Sequence, residues 1–370
     1  MTLLLSGVIL CVSLFYFFTF DDVKKRLEFN QSQTLDAPTA IYSQSSSLTA
    51  DPNPSLSNDI DATDAEPRVE QDYIVECDMQ QVTDYAGLTN SEIFATFASS
   101  PSMDKQLAYA FFSDVSEQDT RLDKLLSFNQ TFPGNPLALE QLLGLCTEVN
   151  SHEGCNQQLV EQAISAGGDN GVIWFAIANF YASRNATELI KNALRQVNTS
   201  PLFEESFADY IRLYVDSLQG RPNEDFTQNA LSAFGAAASQ PSFFNIISKL
   251  CTEKPKQDDE YLQICLSLGE TMEQQGKTNL TQNIGMAYQE VIYDLEGNDL
   301  ALNELELRRT QNFENSATLF RKATNLALFD QRLFRSWLDN LSHLGEQDAA
   351  SLLVEDAIAL SQNPYYKPCL

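Results

Sequence analysis

From about Ile74 to the C-terminus, apolar residues recur at i, i+1, i+4, i+5 and i+8 instead of at every second position. That spacing lays a stripe along a helix of about 3.6 residues per turn and does not line one face of a strand. It predicts a helix carrying Ile173, Trp174, Ile177, Ala178 and Tyr181, then one with Leu189, Ile190, Ala193, Leu194 and Val197. A third holds Phe203, Phe207, Tyr210, Ile211, Tyr214, Val215 and Leu218. Near the end come Leu333, Phe334, Trp337, Leu338 and Leu341, then Leu353, Val354, Ala357 and Ile358. Helix stops stand between such stretches: Gly134-Asn135-Pro136, Gly167-Gly168-Asp169, Gly220-Arg221-Pro222, Gln240-Pro241 and Gly345. Short connections make consecutive helices antiparallel neighbours. The expected fold is therefore all-α, an array of antiparallel helical hairpins.

Trp174, Ile177, Ala178 and Tyr181 stand at the spacing W-x2-L-G-x2-Y. This resembles the first helix of a tetratricopeptide repeat, and the stretch Ala186 to Gln196, with Ala193 and Leu194, resembles its second helix. The resemblance implies a superhelix of hairpins that binds other proteins. It covers the stretch from Trp174 to Val197, and Ala193-Leu194 and Pro201 arrive early for the standard unit.

The N-terminus follows a different pattern. Leu3 to Phe20 carries no charged residue, which approaches the roughly 20 apolar residues that cross a bilayer. No small-x-small cleavage site follows, so residues 1–22 read as a transmembrane signal anchor. Residues 23–72, rich in Ser, Asp and Pro, read as a disordered acidic linker. Residues 73–370 read as the α-helical hairpin domain, divisible into halves 73–240 and 241–370. Lys24, Lys25 and Arg26 follow the anchor and by the positive-inside rule would hold the bulk of the chain in the cytoplasm.

The cysteines argue for the opposite side. Cys146 and Cys155 bracket a polar loop containing His152, and Cys251 and Cys265 bracket another. Both brackets open Leu-Cys-Thr-Glu and close with a cysteine read as the start of a new helix. Structural zinc needs closely spaced Cys or His pairs, and a thioredoxin-like site needs C-x-x-C within a βαβ unit. Neither pattern is present, which leaves a disulfide across each helix–helix turn. By the chain-entropy model such loops gain roughly 2.5–3 kcal/mol each. A third pairing, Cys77 with Cys369, requires the two ends of the folded region to meet. Disulfides persist outside the cytosol. Weighed above the basic cluster, they lead to the expectation of an inner-membrane, single-pass protein with its C-terminal domain in the periplasm.

Composition narrows the function. The formal net charge is −28, which opposes binding to nucleic acid or to an anionic lipid surface. No nucleotide-binding glycine motif or nucleophile elbow occurs, and no catalytic, cofactor or metal residue is assigned. Gly167–Gly171 reads as a helix cap followed by the next N-cap, and His343 as a residue near a helix end. Glu204-Glu205 and Asp258-Asp259-Glu260 read as helix N-terminal or loop charges. The expectation is a non-enzymatic membrane-tethered scaffold that presents its helical hairpins to another envelope protein. The alternative is an envelope enzyme acting on cell-wall polymer through a carboxylate in a groove of the array.

Overall fold

The computed structural model describes residues 73–78, 90–149, 151–221, 225–239, 244–313 and 317–369. The chain divides into two units, Met1–Arg68 and Val69–Leu370, and all described residues belong to the second. The expected anchor (1–22) and linker (23–72) lie outside the described residues.

Sixteen α-helices are described. They are α1 (Asn90–Ala95), α2 (Met103–Phe112), α3 (Arg121–Thr131), α4 (Pro136–Glu148), α5 (Gln157–Gly167), α6 (Gly171–Ala182), α7 (Thr187–Thr199) and α8 (Phe207–Leu218). The rest are α9 (Phe226–Ala238), α10 (Phe244–Glu253), α11 (Asp259–Gln275), α12 (Asn279–Glu296), α13 (Asp299–Phe313), α14 (Ala317–Phe329), α15 (Gln331–Leu344) and α16 (Glu346–Ser361). Among the described residues there are no strands, only the isolated bridges Ser116–Asp119 and Asn170–Leu202.

Side-chain chemistry sets the helix starts. Ser102, Thr120, Asn135, Asn156, Asn170, Asp225, Asp258, Thr278 and Asp330 each accept a backbone N–H of the first turn that follows. Thr120 and Asp123 close a reciprocal capping box. Gly134, Gly220, Gly297 and Gly345 adopt positive φ at the turns, a conformation that other L-residues resist.

Consecutive helices pack as pairs: α6 on α7, α8 on α9, α11 on α12 and α15 on α16. Further packing joins α4 to α6 and α14 to α16, a skip-one pattern compatible with a helical repeat. Elements on either side of position 240 also meet directly, α7 with α11 and α8 with α15. Helix α6 departs from the one-sided stripe expected of it. Besides Ile173, Ile177, Ala178 and Tyr181 of that stripe it buries Phe175, Ala176 and Phe180, and it packs on α4, α5, α7 and α10. A helix apolar on all sides belongs at the centre of a core.

Two expectations are corrected. Cys265 does not open a helix: Asp258 caps α11 and Asp259 and Glu260 fill its first turn, so the helix begins well before the cysteine. The inner-membrane, single-pass localisation with a periplasmic domain is also overturned. Among the described residues no helix is long and apolar enough to cross a membrane. The most apolar, α6, has 12 residues, against the roughly 20 that a crossing requires.

Candidate functional site

The turn before α8 (200–206), the turn from α11 to α12 (276–278) and the turn from α15 to α16 converge on one cleft. Its volume is about 410 Å³, and its lining includes Leu202, Glu204, Gln275, Lys277, Gln282 and Glu346. The 200–206 turn is held from three directions. Gly171 N donates to Leu202 O (2.7 Å), and Asn170 pairs with Glu204 through Nδ2 to the carbonyl (2.8 Å) and Oδ1 from the amide (3.0 Å). Ser206 Oγ donates to Glu140 Oε2 on α4. A Cβ on Gly171 would lie 2.9 Å from the Phe203 ring, so this tight approach requires glycine.

Glu205 makes the third attachment. Its Oε2 accepts from Lys277 N (2.7 Å) and Thr278 N (3.0 Å), and its Oε1 accepts from Thr278 Oγ1 (2.7 Å) and Thr281 Oγ1. The carboxylate thus sits over the N-terminus of α12, where exposed N–H groups and the helix dipole favour negative charge. Glu346 grips the same turn from the other side, accepting from Asn279 N (2.7 Å), while Glu346 N donates to Lys277 O (2.7 Å). Lys277 Nζ donates to His343 O (2.8 Å), capping the end of α15.

The three glutamates share an electrostatic problem. As residues they are half-buried, but their carboxyl groups are surrounded by protein. Burial pushes the Glu140 carboxyl up to about 7, with the Ser206 hydrogen bond opposing and the charges of Glu205 and Asp209 adding to the rise. Burial also raises Glu205, against the pull of its four donors. Glu346 is raised by burial and by Glu205, against the Asn279 N–H.

The cysteines lie elsewhere. Cys146 pairs with Cys155, Cys251 with Cys265, and Cys77 with Cys369, with Cα–Cα separations of 5.4, 5.5 and 5.4 Å. Both α4 and α10 end at the glutamate of their Leu-Cys-Thr-Glu stretch. Arg184 lies over the Phe180 ring and reaches the first bracket, donating to Cys146 O (3.4 Å) and Cys155 O (3.2 Å). His152 accepts from Gly154 N at Nδ1 (3.1 Å) and places Nε2 3.4 Å from Asp123. Among the described residues no three His, Cys, Asp or Glu side chains are set to hold a metal ion.

The residues of the repeat resemblance all sit on the α6–α7 pair. Ile177, Ala178, Tyr181, Ala193 and Leu194 are buried. Trp174 is partly buried and donates from Nε1 to Gly168 O (2.7 Å). No protein-family model, no curated protein and no solved structure matches the chain. The tetratricopeptide type therefore has no support beyond the packed pairs themselves.

The convergence of Glu140, Glu205 and Glu346 carried little sequence signal. Glu205 reads locally as a helix N-terminal charge, and it does precede α8. Its partners lie 72 to 76 positions further along the chain, which no local pattern reports.

Proposed function

We propose that this protein is a scaffold of helical hairpins, stacked in the manner of a superhelix, whose surface binds another protein. One observation carries the reading: the buried charged side chains serve the architecture. Glu205 has about four acceptor sites and uses all four on one turn, which leaves none for a substrate. Lys191 joins α7 to Asp258 and Glu260 at the head of α11, and Lys124 caps the end of α2 through Ser113 and Asp114. Rigid helical arrays fixed in this way offer extended binding surfaces. The three disulfides favour an oxidising compartment.

A second reading, an enzyme acting on cell-wall polymer, has Glu346 in its favour. This residue lines the cleft and its carboxyl is raised. One experiment separates the two. The full chain is immobilised under non-reducing conditions and exposed to extract from its own source, with free chain as competitor. The scaffold reading expects a discrete protein that the free chain displaces. Recovery of no displaceable protein, together with polymer turnover that Glu346→Gln abolishes, would overturn it.

A further inference from the structure

Residues 73–78 lie against the helical array without forming a helix or a strand. Ile74 is 1% exposed and Cys77 is 8% exposed, whereas Tyr73, Glu76 and Asp78 face outward. Contacts to α14, to α16 and to Cys369 hold this strap. Val75 N donates to Ser361 Oγ on α16 (2.9 Å), Glu76 pairs with Lys322 on α14, and Cys77 is bonded to Cys369. Helices α14 and α16 pack on each other, so the strap lies on a surface built by one helix pair. Ser361 is prepared for its role, since its hydroxyl donates to Ala357 O (2.7 Å) and its free lone pair accepts the strap's N–H.

These are ingredients of peptide recognition: a main-chain N–H held by a side-chain acceptor, a buried aliphatic anchor and a charge pair. The third disulfide adds a lock. Cys146, Cys251 and Cys265 are fully buried and Cys155 nearly so, while Cys369 near the chain end is only partly buried. A thiolate must reach a sulfur to attack it, so access ranks Cys77–Cys369 as the first bridge to open.

We propose that the α14–α16 surface around Lys322 and Ser361 is a docking groove for a segment of a partner, one with an aliphatic residue two positions before an acid, and that residues 73–78 fill it in cis under a redox latch. This rests on the reading of the protein as an interaction scaffold. A dithiol reductant supplies two electrons and two protons, converts the Cys77–Cys369 bond to two thiols and itself becomes a cyclic disulfide. The strap then holds the groove without a covalent bond to it, by its non-covalent contacts at the millimolar effective concentration of a tethered segment, and a partner segment can compete.

Two measurements on the full chain test this. In the first, the oxidised protein is titrated with dithiothreitol, and exposed thiols are alkylated and mapped. Labelling at Cys77 and Cys369 is expected before any at the other four cysteines; earlier labelling at Cys146 or Cys155 would overturn the latch. In the second, protein carrying Cys77→Ser is incubated with the symmetrical disulfide of a peptide copying residues 72–78. Cys369 attacks that disulfide, bonds one peptide and releases the other as a thiol. The native-order peptide is expected to be trapped at least about tenfold more than a scrambled one with the same cysteine. Lys322→Glu should remove the preference, and a peptide carrying Glu76→Lys should restore it. Equal trapping of native and scrambled peptides would overturn the groove. Preferential trapping without any displaceable partner in the capture experiment would keep the groove and sink the scaffold reading, and the converse would sink the groove alone.

Discussion

Four donors from one turn converge on Glu205, two of them backbone amides with no intrahelical partner. Removing the acceptor strands those groups in a partly buried turn. Glu205→Ala is expected to lower stability by about 2–4 kcal/mol, read as a shift of the urea midpoint. Glu140 makes a different prediction. Its carboxyl titrates at about 7 in the fold against an ordinary 4.5, so the folded state holds the proton more tightly than the unfolded chain. The stability this confers is complete below the unfolded value and is lost as pH rises through 7; Glu205 and Glu346, both raised, act in the same sense. Between about pH 5 and pH 8 stability should fall, with Glu140 contributing at most about 3 kcal/mol. Glu140→Gln should make the fall of the urea midpoint across that window shallower, and a midpoint that rises with pH in the native protein would contradict the assignment. Neither role was legible in the sequence. In a chain this acidic, an isolated Glu140 looks like solvated surface and the Glu204-Glu205 pair like a helix N-terminal or loop charge, because the donors that single them out come from distant turns.

At the scale of elements the helical period was legible because each stripe had a core to face. Trp337, Leu338 and Leu341 on α15 and Ile211, Tyr214 and Val215 on α8 are buried as their spacing predicts. The pairing of helices was harder to read. The α11–α12 contact depends on two glycines that stand inside helices and look locally like weak points. A Cβ on Gly285 would lie 2.6 Å from Gly269 O, and a Cβ on Gly269 would lie 2.6 Å from Gly285 O. The backbones touch, so no flexible side chain can move aside. Gly285→Ala should force the helices apart and cost about 1–3 kcal/mol or more, a drop in thermal midpoint that a surface Gly235→Ala, with open space around it, would not show. The disulfide brackets lie between these cases. Their loops could be matched from the shared Leu-Cys-Thr-Glu, and Asp258-Asp259-Glu260 read as helix N-terminal or loop charges; what misleads is the apolar stretch after Cys265, which looks like the head of a helix although α11 is already capped at Asp258.

For the whole molecule, the distances along the chain between bonded cysteines separate the three bridges: 9 and 14 residues for the local pairs and 292 for Cys77–Cys369. Closing a longer loop restricts the unfolded chain more. Cys77→Ser should therefore destabilise the protein by up to about 5 kcal/mol, against roughly 2.5 kcal/mol for Cys155→Ser, as measured by unfolding under non-reducing conditions. Where the array meets a partner is a question about its surface. Leu189, Leu280 and Leu300 are 45%, 54% and 77% exposed and sample three different helices, α7, α12 and α13. Photo-cross-linking residues placed at these positions in the full chain, with buried Leu268 as control, report contact within living cells. The scaffold reading predicts a reproducible adduct with a distinct protein at one or more of the exposed positions and none at Leu268. Absence of an adduct at every exposed position would contradict it.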